Sequence, residues 1–141
     1  NHNALNDPRA QVIVADAFLE VERMLDQGFV YDTIIIDLPD PNHPDLNKLY
    51  SDYFYNHVRQ LLAPDGALVI QSTSPYHAKK AFISIAKTVQ QAGFTHVEQY
   101  QQNIPSFGQW GWTIATRSGQ PASERIAQID QFPPLSDCCK I

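Results

Sequence analysis

The sequence lacks the patterns that mark several large classes of protein. Its only two cysteines are the adjacent Cys138 and Cys139, which offer neither a disulfide framework nor the spacing of a metal site. We therefore expect free thiols, a reducing compartment and a cytoplasmic location. No apolar run approaches the roughly 20 residues needed to cross a bilayer, and the first residues show no signal-peptide pattern.

Positive charge is also scarce, because 10 Lys and Arg residues face 15 Asp and Glu residues for a formal net charge of −5. Without a basic stripe to neutralise phosphates, we expect no nucleic-acid partner. The 5 histidines are scattered, and no pair of them has a carboxylate at ligand spacing, so we expect no metal. A P-loop and a G-x-S-x-G elbow are absent as well, which excludes two common catalytic motifs.

What is present is enough apolar sequence for a globular domain. The 141 residues are 43% hydrophobic and 18% charged, a composition that supports a buried core. Short apolar runs typical of strands alternate with amphipathic stretches typical of helices. The predicted strands are residues 11–15, 31–36, 67–71, 96–103 and 112–116, and the predicted helices are residues 17–27, 51–62, 77–92 and 123–129.

This order of elements predicts a doubly wound α/β sheet with a parallel body and an antiparallel hairpin at its end. The β-branched run at residues 34–36 predicts burial of its strand on both faces, and residues 63–66 predict a turn. Class I S-adenosylmethionine-dependent enzymes close their sheet with such a hairpin, whereas Rossmann domains of the NAD type usually stay parallel. The analogy concerns the fold and is silent about chemistry.

Ligands of open α/β sheets bind beyond the carboxyl ends of the strands, so polar residues at those ends are the candidates. Asp37 and Asp40 directly follow the strand 31–36, in a loop stiffened by Pro39 and Pro41. Two carboxylates there create a negative potential suited to an ammonium group, and one of them can accept a proton. A simpler alternative stays open, in which Asp40 caps a turn and Asp37 accepts hydrogen bonds from backbone amides.

Other candidates also have two interpretations each. Asp16 stands between a strand and a helix, where it is either an N-cap or a hydrogen-bond partner for a nucleoside base. Gln71 ends a strand, as a ligand contact or as a satisfied polar group. The aromatic side chains near the hairpin turn either wall a cation site or form a local packing cluster; they are Phe107, Trp110 and Trp112.

Several segments, in order from about Asn6 to Thr116, resemble the polyamine aminopropyltransferases (spermidine synthases). The more specific ones are residues 31–41 (YDTIIIDLPDP), 49–55 (LYSDYFY) and 66–72 (GALVIQS), and residues 7–9 (DPR), 16–18 (DAF) and 104–111 (IPSFGQWG) fit as well. The Leu-Pro within the D-x-x-D-P loop resembles a bacterial branch whose members carry an amino-terminal membrane segment. The resemblance leaves open whether the parent protein is anchored in that way.

The resemblance implies transfer of a propylamine group from decarboxylated S-adenosylmethionine, as co-substrate without a prosthetic group, to a diamine such as putrescine. Asp37 is then the base that takes the proton of the attacking amine. The residues implied to contact the amine substrate are Asp40, Gln71 and Phe107. Those implied to contact the nucleoside are Asp16, Ala17 and Pro44. The implied partners are small polyamines and nucleosides, together with further copies of the chain in a homo-oligomer.

The sequence also departs from the family. The glycine-rich nucleotide loop and the acidic residue that holds the ribose are absent, and Leu38 and Pro39 replace the usual Ser or Thr. We expect residues 1–117 to be the carboxyl-terminal part of an aminopropyltransferase-like Rossmann domain and residues 118–141 a polar, proline-containing tail.

The missing strands would lie between strands 11–15 and 31–36, so the second strand would have an unpaired edge. The chain alone is then expected to pair with another chain there or to rearrange, and to bind the nucleoside poorly with little activity.

Two other functions stay open. An S-adenosylmethionine-dependent methyltransferase would share the fold, but methyl transfer does not require two carboxylates in the loop 37–40. A non-catalytic binding or assembly domain would keep the fold without the reaction, and the missing strands favour that alternative for this chain.

Overall fold

A four-stranded mixed sheet forms the centre of the computed structural model, which describes residues 4–40, 44–106 and 108–130. In the order β1-β2-β4-β3, the strands are β1 (Tyr31–Ile36), β2 (Leu62–Gln71), β4 (Gly108–Thr116) and β3 (His96–Ile104). β1 and β2 are parallel, whereas β4 runs antiparallel to both β2 and β3. The predicted α/β architecture with a terminal antiparallel hairpin is therefore confirmed.

Helices flank these strands, and four of the five in the described residues lie close to the predicted positions, the exception being the short helix at Pro44–Asn47. They are α1 (Ala17–Asp26), α2 (Pro44–Asn47), α3 (Asp52–Leu61), α4 (Lys79–Gln91) and α5 (Ala122–Ala127), with 3-10 turns at Ala4–Asn6 and Lys48–Tyr50. Caps explain where some of them begin. The Ser51 hydroxyl, for example, accepts a hydrogen bond from the backbone N–H of Phe54 at 3.2 Å, which fixes the start of α3. None of the helices in the described residues has the length and apolar character needed to cross a membrane.

The core lies on one face of the sheet, beneath α3 and α4. Alternate residues of β2 and β4 point to this face, because side chains of a strand alternate between its two sides. The buried core residues include Phe54, Tyr55 and Val58 of α3, Leu68 and Ile70 of β2, Ile85 and Val89 of α4, Ala115 of β4, Ile36 of β1, and Phe94. The intervening residues point to the opposite face, which we call the open face: Ile35 of β1, Val69 and Gln71 of β2, Tyr100 of β3 and Trp112 of β4.

The predicted strand at residues 11–15 is wrong for this chain. These residues are irregular, and Val12, Ile13 and Val14 expose 60%, 44% and 97% of their surface. A strand requires a neighbouring strand to satisfy its backbone groups, and the described residues provide none beside this segment. Local composition alone therefore could not decide the outcome.

The burial predicted for both faces of β1 is also wrong in this chain. Ile36 is 9% exposed and packs in the core, but Ile35, on the open face, is 74% exposed. β1 is the edge of the sheet, with β2 as its one partner among the described residues. Nothing in this part of the chain therefore covers Ile35.

The turn predicted at residues 63–66 lies within β2 instead, as an irregularity of the ladder. Tyr31 pairs with Leu62 and Thr33 with Ala67, so the intervening residues bulge out of register. Gly66 permits this shape, because a side-chain carbon there would lie 3.0 Å from the carbonyl oxygen of Ala63.

α5 packs on the end of the hairpin, within the part of the sequence predicted as a tail. The Glu98 carboxylate of β3 accepts hydrogen bonds from the backbone N–H of Ser123 at 3.0 Å and from its hydroxyl. Ala122 is buried at this contact. Cys138 and Cys139 lie outside the described residues.

Candidate active site

A cavity of about 780 Å³, which we call the main cavity, opens where the carboxyl ends of β1 and β2 meet the hairpin. Five of the candidates named from the sequence line it together, namely the polar residues Asp37, Asp40 and Gln71 and the aromatic residues Trp110 and Trp112. The polar residues converge because parallel strands end at the same edge of a sheet and the loop after β1 folds over that edge. The hairpin supplies an aromatic wall, formed by Tyr100, Trp110 and Trp112.

Strand register explains why these side chains share the cavity. Gln71 pairs with Trp112 across β2 and β4, and Trp112 pairs with Tyr100 across β4 and β3. All three point to the open face, where the Tyr100 and Trp112 rings stack with their centroids 5.4 Å apart. The loop of residues 37–40, which we call the acidic loop, carries Asp37 and Asp40. A row of one amide and two aromatic rings therefore extends from this loop across the sheet.

The two carboxylates of the loop have different surroundings. Asp37 is exposed at the rim of the cavity, whereas Asp40 is half-buried. The Thr73 hydroxyl, just beyond the end of β2, donates a hydrogen bond to Oδ2 of Asp40 at 3.2 Å. The Asp40 carboxylate therefore has a hydrogen-bond donor within the protein, whereas Asp37 is exposed to solvent.

Tyr50 fixes the backbone of the acidic loop. Its hydroxyl donates a hydrogen bond to the carbonyl oxygen of Pro39 at 2.8 Å and lies 3.4 Å from that of Leu38. Burial, followed by the negative charges of Asp40 and Asp37, raises the pKa of Tyr50 to about 12. The phenol therefore stays protonated at neutral pH and keeps its role as a donor.

Gln71 lines the main cavity and has an unpaired acceptor in its side chain. Its side-chain oxygen Oε1 is buried and has no hydrogen-bond partner among the residues that the structure describes. A buried acceptor without a donor costs free energy, so an N–H group of a ligand would be favoured at this position.

Asp16 lies away from this cavity and serves as the N-cap of α1, as the simpler alternative predicted. Its carboxylate accepts a hydrogen bond from the backbone N–H of Phe18 at 2.9 Å and forms an ion pair with Lys48, whose ammonium donates to it at 2.7 Å. The hydrogen bond from Lys48, and next that from Phe18, holds the pKa of Asp16 below its ordinary value. The Lys48 ammonium also lies 5.3 Å from the Phe18 ring centroid.

A second cavity, of about 480 Å³, lies on the helix side of β1 and contains another predicted residue. Ala17 lines it together with Met24 and Phe54, and the cavity reaches Asp37 at the end of β1. Asp37 thus borders both cavities, which places a carboxylate between two possible ligand compartments.

Two predicted residues cannot be placed in this way. Pro44 begins α2, but its side chain is not among the described ones, and Phe107 lies outside the described residues. Ile104 and Trp110, on either side of Phe107 in the chain, both line the main cavity. Among the described residues, no three His, Cys, Asp or Glu side chains gather as metal ligands would.

Sequence reasoning missed Tyr50, Thr73 and Tyr100. Tyr50 stands within the segment 49–55, but its contact with Pro39 depends on how the loop folds back. Thr73 and Asp40 are 33 residues apart in the chain, so no local pattern links them. Of the three, Tyr100 alone could have been found from the sequence. Once β3 and β4 are paired as a hairpin, Tyr100 is the cross-strand partner of Trp112 and lies on the same face of the sheet.

Comparisons with known proteins agree on a family. The model of the spermine/spermidine synthase domain matches residues 1–126. The polyamine aminopropyltransferase of Shewanella oneidensis is 59% identical over 137 residues, which cover 97% of this chain and 24% of that protein. Polyamine aminopropyltransferase 1 of Streptomyces coelicolor is 44% identical over 128 residues, or 91% of this chain and 23% of that protein. The chain spans about a quarter of the length of these relatives.

Solved structures support the fold. A spermidine synthase in complex with the transition-state analogue AdoDATO superposes with a TM-score of 0.74 at 22% identity, covering 91% of this chain and 44% of that one. The Thermotoga maritima spermidine synthase gives a TM-score of 0.70 at 22% identity, covering 91% and 43%.

Proposed function

Because the chain belongs to the spermine/spermidine synthase family, we propose that it supplies the amine-binding part of an aminopropyltransferase of polyamine biosynthesis. The proposed reaction moves an aminopropyl group from decarboxylated S-adenosylmethionine to a diamine such as putrescine. The observation that carries this proposal is the meeting of Asp37, Asp40 and Gln71 in one cavity with an aromatic wall. Carboxylates and aromatic faces both stabilise an ammonium group.

The chemistry requires a proton acceptor at this position. Alkyl amines are protonated near neutral pH, with a pKa of about 10, and a protonated amine cannot attack carbon. We assign Asp37 as the base that takes this proton and holds the nitrogen in line. The nitrogen then forms a bond to the carbon next to the sulfonium, the carbon–sulfur bond breaks, and the sulfur leaves with the bonding pair as a neutral thioether.

We assign the other polar groups to binding rather than to proton transfer. Asp40 anchors the ammonium form of the substrate, and Gln71 offers Oε1 to an amine N–H, which accords with its unpaired oxygen. Phe107 is proposed to contact the amine from the hairpin turn. Pairing of the amine with Asp40 before proton transfer would bring its nitrogen to the loop that carries Asp37.

The nucleoside side of the site is proposed to lie toward the second cavity. Ala17 and Asp37 both line that cavity. We assign Ala17, its chain neighbour Asp16, and Pro44 as nucleoside contacts. The engagement of Asp16 with Lys48 means that a nucleoside would have to share or displace this ion pair. The complex of a structural neighbour with a transition-state analogue supports the choice of decarboxylated S-adenosylmethionine as co-substrate.

The site is proposed to be completed by parts of a longer protein. The sequence holds no glycine-rich nucleotide loop, and the chain spans about a quarter of its relatives. We therefore propose that residues 1–117 are the carboxyl-terminal part of the catalytic domain and residues 118–141 a tail whose helix α5 docks on the hairpin. The chain alone should bind the nucleoside poorly and have little activity.

The test is Asp37→Asn in the full-length protein that contains this chain. We expect kcat to fall by roughly 10² to 10⁴, the usual effect of losing a general base, with the circular dichroism spectrum and melting temperature retained. Asp65→Asn is the matched control, since Asp65 is an exposed aspartate of the β2 bulge outside both cavities. An unchanged rate of aminopropyl transfer in Asp37→Asn would contradict the proposal.

The same assay separates the alternatives. Methyl transfer from S-adenosylmethionine that survives Asp37→Asn would identify a methyltransferase instead. A full-length protein that folds and binds but performs neither transfer would identify a non-catalytic domain.

A further inference from the structure

Thr73, just beyond the end of β2, has an unusual backbone conformation. Its φ is +60°, and it is the one residue other than glycine with a positive φ in the described part of the chain. This left-handed region is disfavoured for β-branched residues, because their Cβ substituents crowd the backbone. Thr73 is also buried, at 3% exposed, so it is not part of a solvent-exposed loop in which unusual backbone conformations are common.

The surrounding structure holds Thr73 in this conformation. The backbone N–H of Ser72 donates to the carbonyl oxygen of Gly111 at 2.9 Å, and the N–H of Gly111 donates to the carbonyl oxygen of Thr73 at 2.9 Å. Gly111 in turn fits against the Phe82 ring, where any side-chain carbon would clash. The end of β2 is therefore locked to β4 on both sides of the peptide between Ser72 and Thr73.

The turn itself does not explain the choice of threonine. Glycine or asparagine adopts this backbone conformation at lower cost, and neither carries a β-branched side chain. What threonine adds is the hydroxyl that donates to Oδ2 of Asp40 at 3.2 Å. A residue kept in a disfavoured conformation by its neighbours, with its polar group directed at a functional carboxylate, is typical of functional sites.

We propose that Thr73 is a positioning residue, which orients the Asp40 carboxylate toward the ammonium group of the amine substrate. The inference rests on the proposed function, because it assigns Asp40 to amine binding. The hydrogen bond leaves Asp37 and the second cavity untouched, so Thr73 acts on recognition of the amine and not of the nucleoside. Its backbone bonds to β4 hold this geometry in place before substrate arrives.

The test compares three substitutions in the full-length protein. Thr73→Val keeps the shape and removes the hydroxyl, Thr73→Gly removes the hydroxyl and relieves the backbone, and Thr73→Ser keeps the hydroxyl. We expect KM for the amine to rise roughly tenfold in the valine and glycine variants and to return within about twofold in the serine variant. KM for decarboxylated S-adenosylmethionine should stay the same in all of them.

A merely structural role would give a different pattern. It would lower the melting temperature and affect both KM values together, and Thr73→Gly would then differ from Thr73→Val. Thr88→Val is the matched control, because the Thr88 hydroxyl bonds within α4, to the carbonyl oxygen of Ser84. If either substitution without a hydroxyl folds and leaves the amine KM unchanged, the inference is overturned.

A double substitution tests the route through Asp40. In an Asp40→Ala background, Thr73→Val should add no further rise in the amine KM, since the carboxylate that Thr73 orients is already absent. A full tenfold rise in that background would overturn the inference. This failure differs from failure of the proposed function, which Asp37→Asn reports independently.

Discussion

The two faces of the sheet are built from the same strands but differ in what lies on them. On the helix-covered face, Leu68 and Ile70 of β2 and Ala115 of β4 are buried beneath α3 and α4. On the open face, the alternate residues Ile35 and Tyr100 are exposed, and the main cavity occupies the region around them. A residue's position in the strand therefore decides whether it stabilises the fold or forms the site.

This difference shows how the chain separates stability from chemistry. The covered face contains the apolar core, in which side chains of β2 and β4 pack against α3 and α4. The rim residues Asp37 and Gln71 are at the ends of strands that this core supports, so they gain a fixed position without being buried in it. Apolar side chains that remain on the open face, Ile35 above all, then mark a surface with unused capacity for burial.

The largest expected contrast between the faces is in the free energy of unfolding. Leu68→Ala should cost about 2–5 kcal/mol, because it leaves a cavity in the packed core. Ile35→Ala, the matched change on the open face, should cost less than about 1 kcal/mol, since little of the side chain is buried. Urea unfolding of the 141-residue chain at low concentration measures both. Equal costs would show that Ile35 is buried after all.

Self-association is the next contrast, and it tests the exposed edge of the sheet. β1 has an apolar open face and an outer edge without a partner among the described residues, which favours pairing with a second chain. Ile35→Lys should weaken this association at least about tenfold, because a lysine on an edge strand opposes pairing. Sedimentation velocity over a range of concentrations provides the measurement.

Ile83→Lys is the control for this experiment, because Ile83 is an exposed isoleucine of α4, on the helix layer. It should leave association unchanged. If the unsubstituted chain stays monomeric at all concentrations, the expectation of pairing through β1 is wrong.

Sequence predicted those features that depend on local pattern. The helices, β1 and the hairpin follow from periodicity and turn residues. The convergence of Asp37, Asp40 and Gln71 follows from the rule that parallel strands end together. Their convergence can be predicted from the direction of the two strands alone, without knowing any distant contact.

Features that depend on distant neighbours could not be predicted in this way. Residues 11–15 have a strand-like composition, yet a strand forms only beside another strand. The contact between Thr73 and Asp40 joins segments 33 residues apart, and the exposure of Ile35 depends on what covers a face. Local sequence specifies neither a long-range contact nor the covering of a face. The run of three β-branched residues 34–36 therefore does not determine whether Ile35 is buried.

The smallest expected effect is on amide hydrogen exchange in α5, the helix that covers one end of the open face. Glu98 lies on that face, two residues before Tyr100 in β3, and hydrogen bonds from the Ser123 side chain and backbone hold its pKa below the ordinary value. The bonds therefore stabilise α5 docking above the unfolded pKa of about 4.3, and this contribution is lost as pH falls through the folded pKa. Glu98→Gln should raise amide hydrogen exchange in α5 severalfold near neutral pH and abolish its further rise in acid, relative to intrinsic rates. Glu124→Gln, within α5 itself, is the control and should preserve the acid dependence of amide exchange. If that acid dependence also persists in Glu98→Gln, a group other than Glu98 docks the helix.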